Sequence, residues 1–310
     1  MLDNLFFSFE VTAPTFLVIC LGIYLKRVGL INNEFADIGA KLVFQVTLPC
    51  LLFVKLVQAN FNILPVTLIV YALVATLVVY LILDFLIAPL LVKHDRSAFV
   101  QGSFRSNMGI VGLAFCLDAY GDDVLKIASV YLAFVTILYN VLSLMTFARH
   151  QGVAASPYKT LLTIIKNPII ISIVIAITLS QLEFTPPHFL ISSLGYVGGM
   201  SMPLALICTG ASIRWRDFQT SNNLYWASIA KLIVVPAVIT AGGILIGLRG
   251  QELGVLFLMS AAPAASAGYP MLRAAGGNYH LGAAIIATTA IAAIIPITLG
   301  LFILRGFDLI

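Results

Sequence analysis

Apolar runs of about 20 residues recur along the whole chain, separated by short polar connections, and each is long enough to cross the hydrocarbon core as a helix. The runs predict ten spans, at about 5–25, 35–57, 65–92, 97–118, 123–147, 159–181, 187–212, 223–248, 252–275 and 280–304. The alternation of apolar and polar positions that marks a membrane β-barrel is not the pattern. The opening, MLDNLFFSFE, lacks the basic stretch of a cleavable signal, so the first run reads as a retained span. The longest connection, around ARHQGVAASPYK, is too small to be a domain. The expected fold class is an all-α integral membrane protein.

Composition agrees, since 61% of residues are hydrophobic and only 10% charged, against about a quarter in a soluble domain. Alternate connections carry the basic residues: Lys26 and Arg27, Lys93 and Arg96, Arg149 and Lys159, Arg214 and Arg216. The others carry Asp122, Asp123, Glu183 and Glu252 against a lone Arg249. By the positive-inside rule the basic set is cytoplasmic and both termini lie outside a cell membrane. Cys20, Cys50, Cys116 and Cys208 fall inside apolar runs without CxxC spacing and are expected as small buried core residues. The four histidines lack metal-ligand spacing, so no metal, cofactor or nucleic-acid partner is expected.

The spacing of prolines suggests a duplication. Pro14 and Pro168 are 154 residues apart, as are Pro49 and Pro203, while Asn107 and Pro263, and Gly121 and Gly277, are 156 apart. This predicts two five-span repeats, residues 1–150 and 151–310, the second inverted in the membrane. Inverted repeats characterise secondary transporters, with the site near the midplane where the halves meet.

The chemistry at that depth lies in SFRSNMGIVG and SAAPAASAGYP. Asn107 is about 15 Å into span 4, with Gly109 and Gly112 weakening the helix after it. Pro263 opens span 9 at the matching depth, and Pro270 closes the motif. Each break is expected to start a second half-helix, with Asn107 as N-cap and Pro263 at the first helical position. Two helix N-termini converging at the midplane favour an anion.

Arg105 reads either as a snorkelling side chain or as a counter-charge, for the anion or for Asp84, which is also a candidate proton site. Lys41 and Lys231 are expected to snorkel, with a scaffold carbonyl as the other option for Lys231. Gln45, Asn140 and Ser266 are deep polar candidates for substrate contact or interhelical bonding. Glu10 and Lys55 are expected in interfacial water, and Pro49 and Pro203 as kinks.

The segments LVFQVTLPCLLFVKL, RSNMGIVGLAFCLDAYG, SMPLALICTGASI, KLIVVP and APAASAGYPMLRAAGGNYHLGAA resemble the auxin efflux carrier family, in its short prokaryotic form. The resemblance covers nearly the whole chain. It implies a ten-helix inverted repeat, related to bile acid:sodium symporters, in which helices 4 and 9 cross as broken helices, and transport of organic anions such as auxin, malate or malonate. The family's substrate-contacting asparagine corresponds to Asn107, and the proline of its second crossover motif to Pro263. AASAG departs from the polar pattern of the plant carriers, and span 3 lacks their acid and lysine, so a small carboxylate is expected rather than an auxin-like aromatic one.

The expectation is therefore a secondary transporter working by alternating access, with spans 3–5 and 8–10 carrying the crossover. Spans 1, 2, 6 and 7 would form a scaffold and a homodimer contact. A channel or receptor using the same cavity is the competing class. HExxH, GxSxG and paired intramembrane aspartates are all missing, so an enzyme is not expected. The coupling ion, proton or sodium, and simple uniport all stay open at this level.

Overall fold

The computed structural model describes residues 2–57, 65–152, 158, 162, 165–213 and 221–310. Lys159, Arg214, Arg216 and the expected start of span 6 fall outside them. The helices are α1 (Leu2–Arg27), α2 (Asn33–Val57), α3 (Val66–Leu90), α4 (Arg96–Phe104), α5 (Met108–Tyr120), α6 (Leu125–Gln151) and α7 (Pro168–Gln181). They continue as α8 (His188–Ser212), α9 (Asn222–Leu245), α10 (Gly250–Ala261), α11 (Gly268–Ala275), α12 (Tyr279–Ala292) and α13 (Ile294–Gly306).

Among the described residues there is no strand, and six helices are long and apolar enough to cross a membrane, or seven when α12 and α13, bent by 50°, count as one. The expected spans 4 and 9 are each split into two short helices, α4 with α5 and α10 with α11. This is an all-helical membrane protein.

Proline explains the irregularities inside the long helices. A proline has no N–H, so the carbonyl four residues before it loses its helical partner. Before Pro49, Pro89 and Pro236 the chain widens into π-helical turns, Val43–Thr47, Ile82–Ile87 and Ala230–Val234. In each, the residue preceding the proline donates to the carbonyl five before itself: Leu48 to Val43, Ala88 to Leu83 and Val235 to Ala230. Such turns re-aim side chains and recur at functional sites. Here the residue five before each proline is Phe44, Asp84 or Lys231. Asp84 and Lys231 are wholly buried, and Phe44 lines two cavities. Pro203 follows a break at Met200, and Pro296 follows the bend at Ala293.

α1 runs along α8, and α2 packs on both α7 and α8. α3, α4, α6, α9, α10 and α12 pack among themselves. The α1–α8 contact is tight because Gly22 faces the Ile207 carbonyl and Gly210 the Ile19 carbonyl, with no room for a β-carbon at either. At the end of this pair Lys26 Nζ donates to the carbonyls of Ala211 (2.6 Å) and Ile213 (2.9 Å), capping α8. Cys116 and Cys208 are buried as expected, but Cys20 is exposed and Cys50 half-buried, because their helices turn those faces outward.

The glycine contact gives a direct test. Gly210→Ala should lower stability by about 1–3 kcal/mol, the usual cost of overpacking, seen as a drop in the melting temperature in detergent. Gly195→Ala, where a β-carbon meets nothing within 4 Å, should leave that temperature unchanged or slightly raised.

Candidate functional site

The two broken helices meet at their breaks. α4 ends at Phe104 and Arg105 turns extended (φ −84°, ψ 110°), while α10 ends at Ala261 and Ala262 turns extended (φ −51°, ψ 143°). Ser106 and Ala264 then form an antiparallel bridge. Asn107 N–H donates to the Pro263 carbonyl at 2.7 Å, and Ala265 N–H to the Arg105 carbonyl at 3.0 Å. Asn107 and Pro263, matched by depth in the sequence, are thus hydrogen-bonded to each other. Gly112 allows the close crossing, since a β-carbon there would lie 3.0 Å from Met259 Sδ and 3.4 Å from its Cα.

Two details differ from expectation. Pro263 is not the first residue of a half-helix but part of the extended break; the helix resumes only at Gly268. Pro270 therefore sits in the first turn of α11, where a missing N–H costs nothing, and does not itself break the chain. Asn107 does occupy the N-cap position, but its side chain makes no capping bond. Its carbonyl instead accepts from Val111 and Gly112, both at 3.1 Å.

Lys231 holds the crossover from α9. Its side chain does not snorkel: the residue is 0% exposed, and Nζ donates to Ser106 Oγ and to the Ser260 carbonyl (2.7 Å). Ser106 Oγ donates to the same carbonyl at 3.0 Å. The π-helical turn before Pro236 is what aims Lys231 inward. On the other side, Ala264 N–H donates to Thr289 Oγ1 at 3.1 Å.

Arg105 does not snorkel either. It is 7% exposed, and its guanidinium donates to Ser143 Oγ (2.7 Å) and Asn140 Oδ1 (2.9 Å) and touches Met271 Sδ (3.4 Å). Asp84 is not its partner, because His150 (2.8 Å) and Arg149 (3.3 Å) already hold that carboxylate. Among the described residues neither Arg105 nor Lys231 forms a salt bridge. Two buried cations at the crossover thus have only neutral partners.

Beside Arg105 is a cavity of about 190 Å³, lined by Arg105, Ser106, Asn107, Asn140 and Ser266, with Phe44 and Asn167 on the opposite wall; Lys231 lines neither cavity and reaches this one through Ser106. Met108 and Gly109 also line it, and as the first residues of a helix their N–H groups have no intrahelical acceptor. A second cavity of about 560 Å³ adjoins it across Phe44, Ser266 and Ala267 and continues past Lys41 to Asn33, Ser212 and Arg273. Both lie on the side of the crossover where α1 ends in Lys26 and Arg27. On the other side Thr15 Oγ1 donates to Asp118 (3.0 Å), and Lys55 pairs with Asp122 (2.6 Å).

Of the sequence candidates, Asn107, Arg105, Asn140 and Ser266 come together. Gln45 does not: it is exposed on α2 and lines neither cavity, because the π-helical turn gives that inward place to Phe44. Thr136, Tyr139 and Ser143 were missed. Their signal is a stripe, since 136, 139, 140 and 143 fall on one face of a helix. Asn167 was missed as well; it is the N-cap of α7, accepting from Ile169 N–H at 3.0 Å, and lines the cavity from there.

Known proteins place this architecture. Residues 7–301 match the family described as membrane transport protein. The chain is 23% identical over 296 residues to "Uncharacterized transporter MJ1031" of Methanocaldococcus jannaschii, an alignment covering 90% of this chain and 92% of that protein. It is 21% identical over 301 residues to "Uncharacterized transporter YfdV" of Escherichia coli K12, covering 94% and 96%. With the family match spanning nearly the whole chain, including both broken helices, the protein belongs to the membrane transport protein family, the auxin efflux carriers that its crossover motifs resemble.

Proposed function

We propose that the protein is a secondary carrier of a small organic anion, a mono- or dicarboxylate such as malate or malonate, working by alternating access. The observation that carries this reading is that Arg105 and Lys231, both buried at the crossover, are matched by no carboxylate among the described residues. Buried charges are ordinarily paired, and an anion in the adjoining cavity supplies a partner to Arg105 directly and to Lys231 across Ser106. Arg105 has five N–H donors, and its three recorded contacts leave two for a ligand. The Asn107 side chain and the N–H groups of Met108 and Gly109 complete a carboxylate site of the kind helix N-termini provide.

Size favours a small cargo. A cavity of about 190 Å³ holds about six waters at ~30 Å³ each, below the ~300–1,000 Å³ of sites for drug-sized ligands. An aromatic carboxylate would have to extend past Phe44 into the larger cavity.

In this reading α1, α2, α7 and α8 form the scaffold and the dimer contact. The remaining helices carry the site and slide or rock against it, and residues 1–150 and 151–310 are inverted repeats. Both cavities open toward the basic connections, so with those in the cytoplasm, and both termini outside the cell membrane, the form described is open inward. Phe44 and Asn167 belong to the scaffold wall, whereas Arg105, Asn107 and Asn140 travel with the anion.

Uptake of labelled malate, malonate and indole-3-acetate into proteoliposomes tests the reading, which is lost if folded protein moves no carboxylate at all. Asn107→Ala should abolish carboxylate binding while expression is retained. Arg105→Ala should weaken binding roughly 10- to 100-fold, the worth of one or two charge-assisted hydrogen bonds, and a dianion more than a monoanion; equal losses would remove Arg105 from the site. Lys231→Met should melt no lower than the wild type, because an unpaired buried charge is costly to the fold, yet bind the anion at least about tenfold more weakly. A lower melting temperature with unchanged affinity would make Lys231 purely structural.

A further inference from the structure

We propose that Asp84 and His150 form a proton-binding site linked to the anion site, so that a proton is taken up at His150 when a carboxylate binds at Arg105; this rests on the transport reading above. Asp84 lies on the π-helical turn of α3 and is wholly buried, with His150 Nε2 at 2.8 Å from Oδ1 and Arg149 at 3.3 Å from Oδ2. The His150 side chain is 4% exposed and sits in the last turn of α6, where the helix dipole favours a cation. With hydrogen on Nε2 donating to Asp84, the neutral ring keeps Nδ1 open, and the incoming proton goes there to give imidazolium. Either state keeps the bond to Asp84, so the pair can load and unload without losing its geometry.

The surroundings leave a proton gained there uncompensated. The charged and titratable groups facing the pair are Asp84 and Tyr80 from α3 and Arg149 from α6, the last stacked over Phe85 at 3.6 Å. α4 presents only the uncharged Ser97 and Gln101, since Arg96 is turned to the carbonyls of Leu91 (3.1 Å) and Pro89 (3.0 Å). Loading His150 therefore changes the local charge by one, with no second titrating base to cancel it.

A polar file runs from this end of α6 to the anion site. Gln151 Nε2 donates to Ser97 Oγ (2.6 Å), Gln101 is one turn further along α4, and its Oε1 lies 3.0 Å from Ser143 Oγ, the hydroxyl that Arg105 contacts and whose one hydrogen is shared with the Tyr139 carbonyl (2.6 Å). Gln151 Oε1 and Gln101 Nε2 are buried with no partner among the described residues, which are places for bridging water. Ser143 and His150 are seven residues apart on α6, about 10 Å along the axis. The anion lies beyond Ser143, on the far side of Arg105, where opposite charges still attract enough for a several-fold change in affinity. The linkage is reciprocal: the bound anion favours the proton, and the proton favours the anion.

Calorimetric titration of malonate into the purified full-length protein near pH 6.5, in two buffers of different ionisation enthalpy, counts protons taken up per anion bound. The wild type should take up a substantial fraction of a proton, and His150→Gln should take up none while binding malonate up to about tenfold more weakly. His188→Gln, at an exposed histidine outside the file, should behave as wild type. Asp84→Asn keeps the test sharp if His150→Gln does not fold, because loss of the carboxylate should likewise abolish uptake near pH 6.5. Equal uptake in the variants, or none in the wild type, overturns the proton site alone. Failure of malonate and every other small carboxylate to bind overturns the transport reading and this site with it.

Discussion

A chain that interrupts a helix inside the hydrocarbon core must find partners for the backbone groups it frees, because no water is there to take them. In this protein the two interruptions serve each other. Asn107 N–H reaches the Pro263 carbonyl and Ala265 N–H the Arg105 carbonyl, so each extended segment acts as the other's neighbouring strand for one bridge. Those two bonds fix where four half-helices end, and the helix ends fix the charges. Arg105 stands at the C-terminal end of α4 and Lys231 donates to a carbonyl at the C-terminal end of α10, the ends whose dipoles attract cations.

The pairing of cations with helix C-termini leaves the two N-terminal ends, at α5 and α11, unanswered. Each carries about half a positive charge, added to that of Arg105. The contrast with Asp84 supports the anion proposed above. That buried acid is paired with Arg149 and hydrogen-bonded to His150, whereas Arg105 and Lys231 have hydroxyl, amide, thioether and carbonyl partners only. A cation would add to an uncompensated positive region; an anion relieves it.

Much of this could be read from residues alone, and the misses share a cause. Depth and polarity located the break at Asn107 and its partner at Pro263, because backbone satisfaction in a membrane constrains where a helix can open. Side-chain direction was harder. Arg105 and Lys231 seemed free to snorkel by length and depth, but direction depends on local winding, and π-helical turns shift the face of everything near them. The signal was in the sequence as prolines: Pro49, read only as a kink, and Pro89 and Pro236 each widen the preceding turn, so Phe44, Asp84 and Lys231 face inward and Gln45 does not. The start of the helix after Pro263 was misplaced for a different reason. Ala264 and Ala265 stay extended because they pair with α4's break, a tertiary constraint that outweighs proline's preference for a first helical turn.

The position of the cavity gives these local features a common consequence. Arg105, Asn107 and Asn140 hang from helices that pack with the crossover, while Phe44 comes from α2, which packs on α7 and α8, and Asn167 from α7. A site enclosed within one packed group would need that group to unpack before releasing its ligand. A site between two groups needs only a sliding or rocking of one against the other, and the polar anchors stay with the anion as it moves. The contacts on the far side, Thr15 with Asp118 and Lys55 with Asp122, join α1 and α2 to the segment at the end of α5. Apolar packing joins them there, with the Phe16 and Phe115 ring centroids 6.0 Å apart, and an exposed ion pair such as Lys55–Asp122 adds at most about 1 kcal/mol. In the proposed reading the differential binding of one small anion has to outweigh these contacts, which is the energetic condition alternating access imposes.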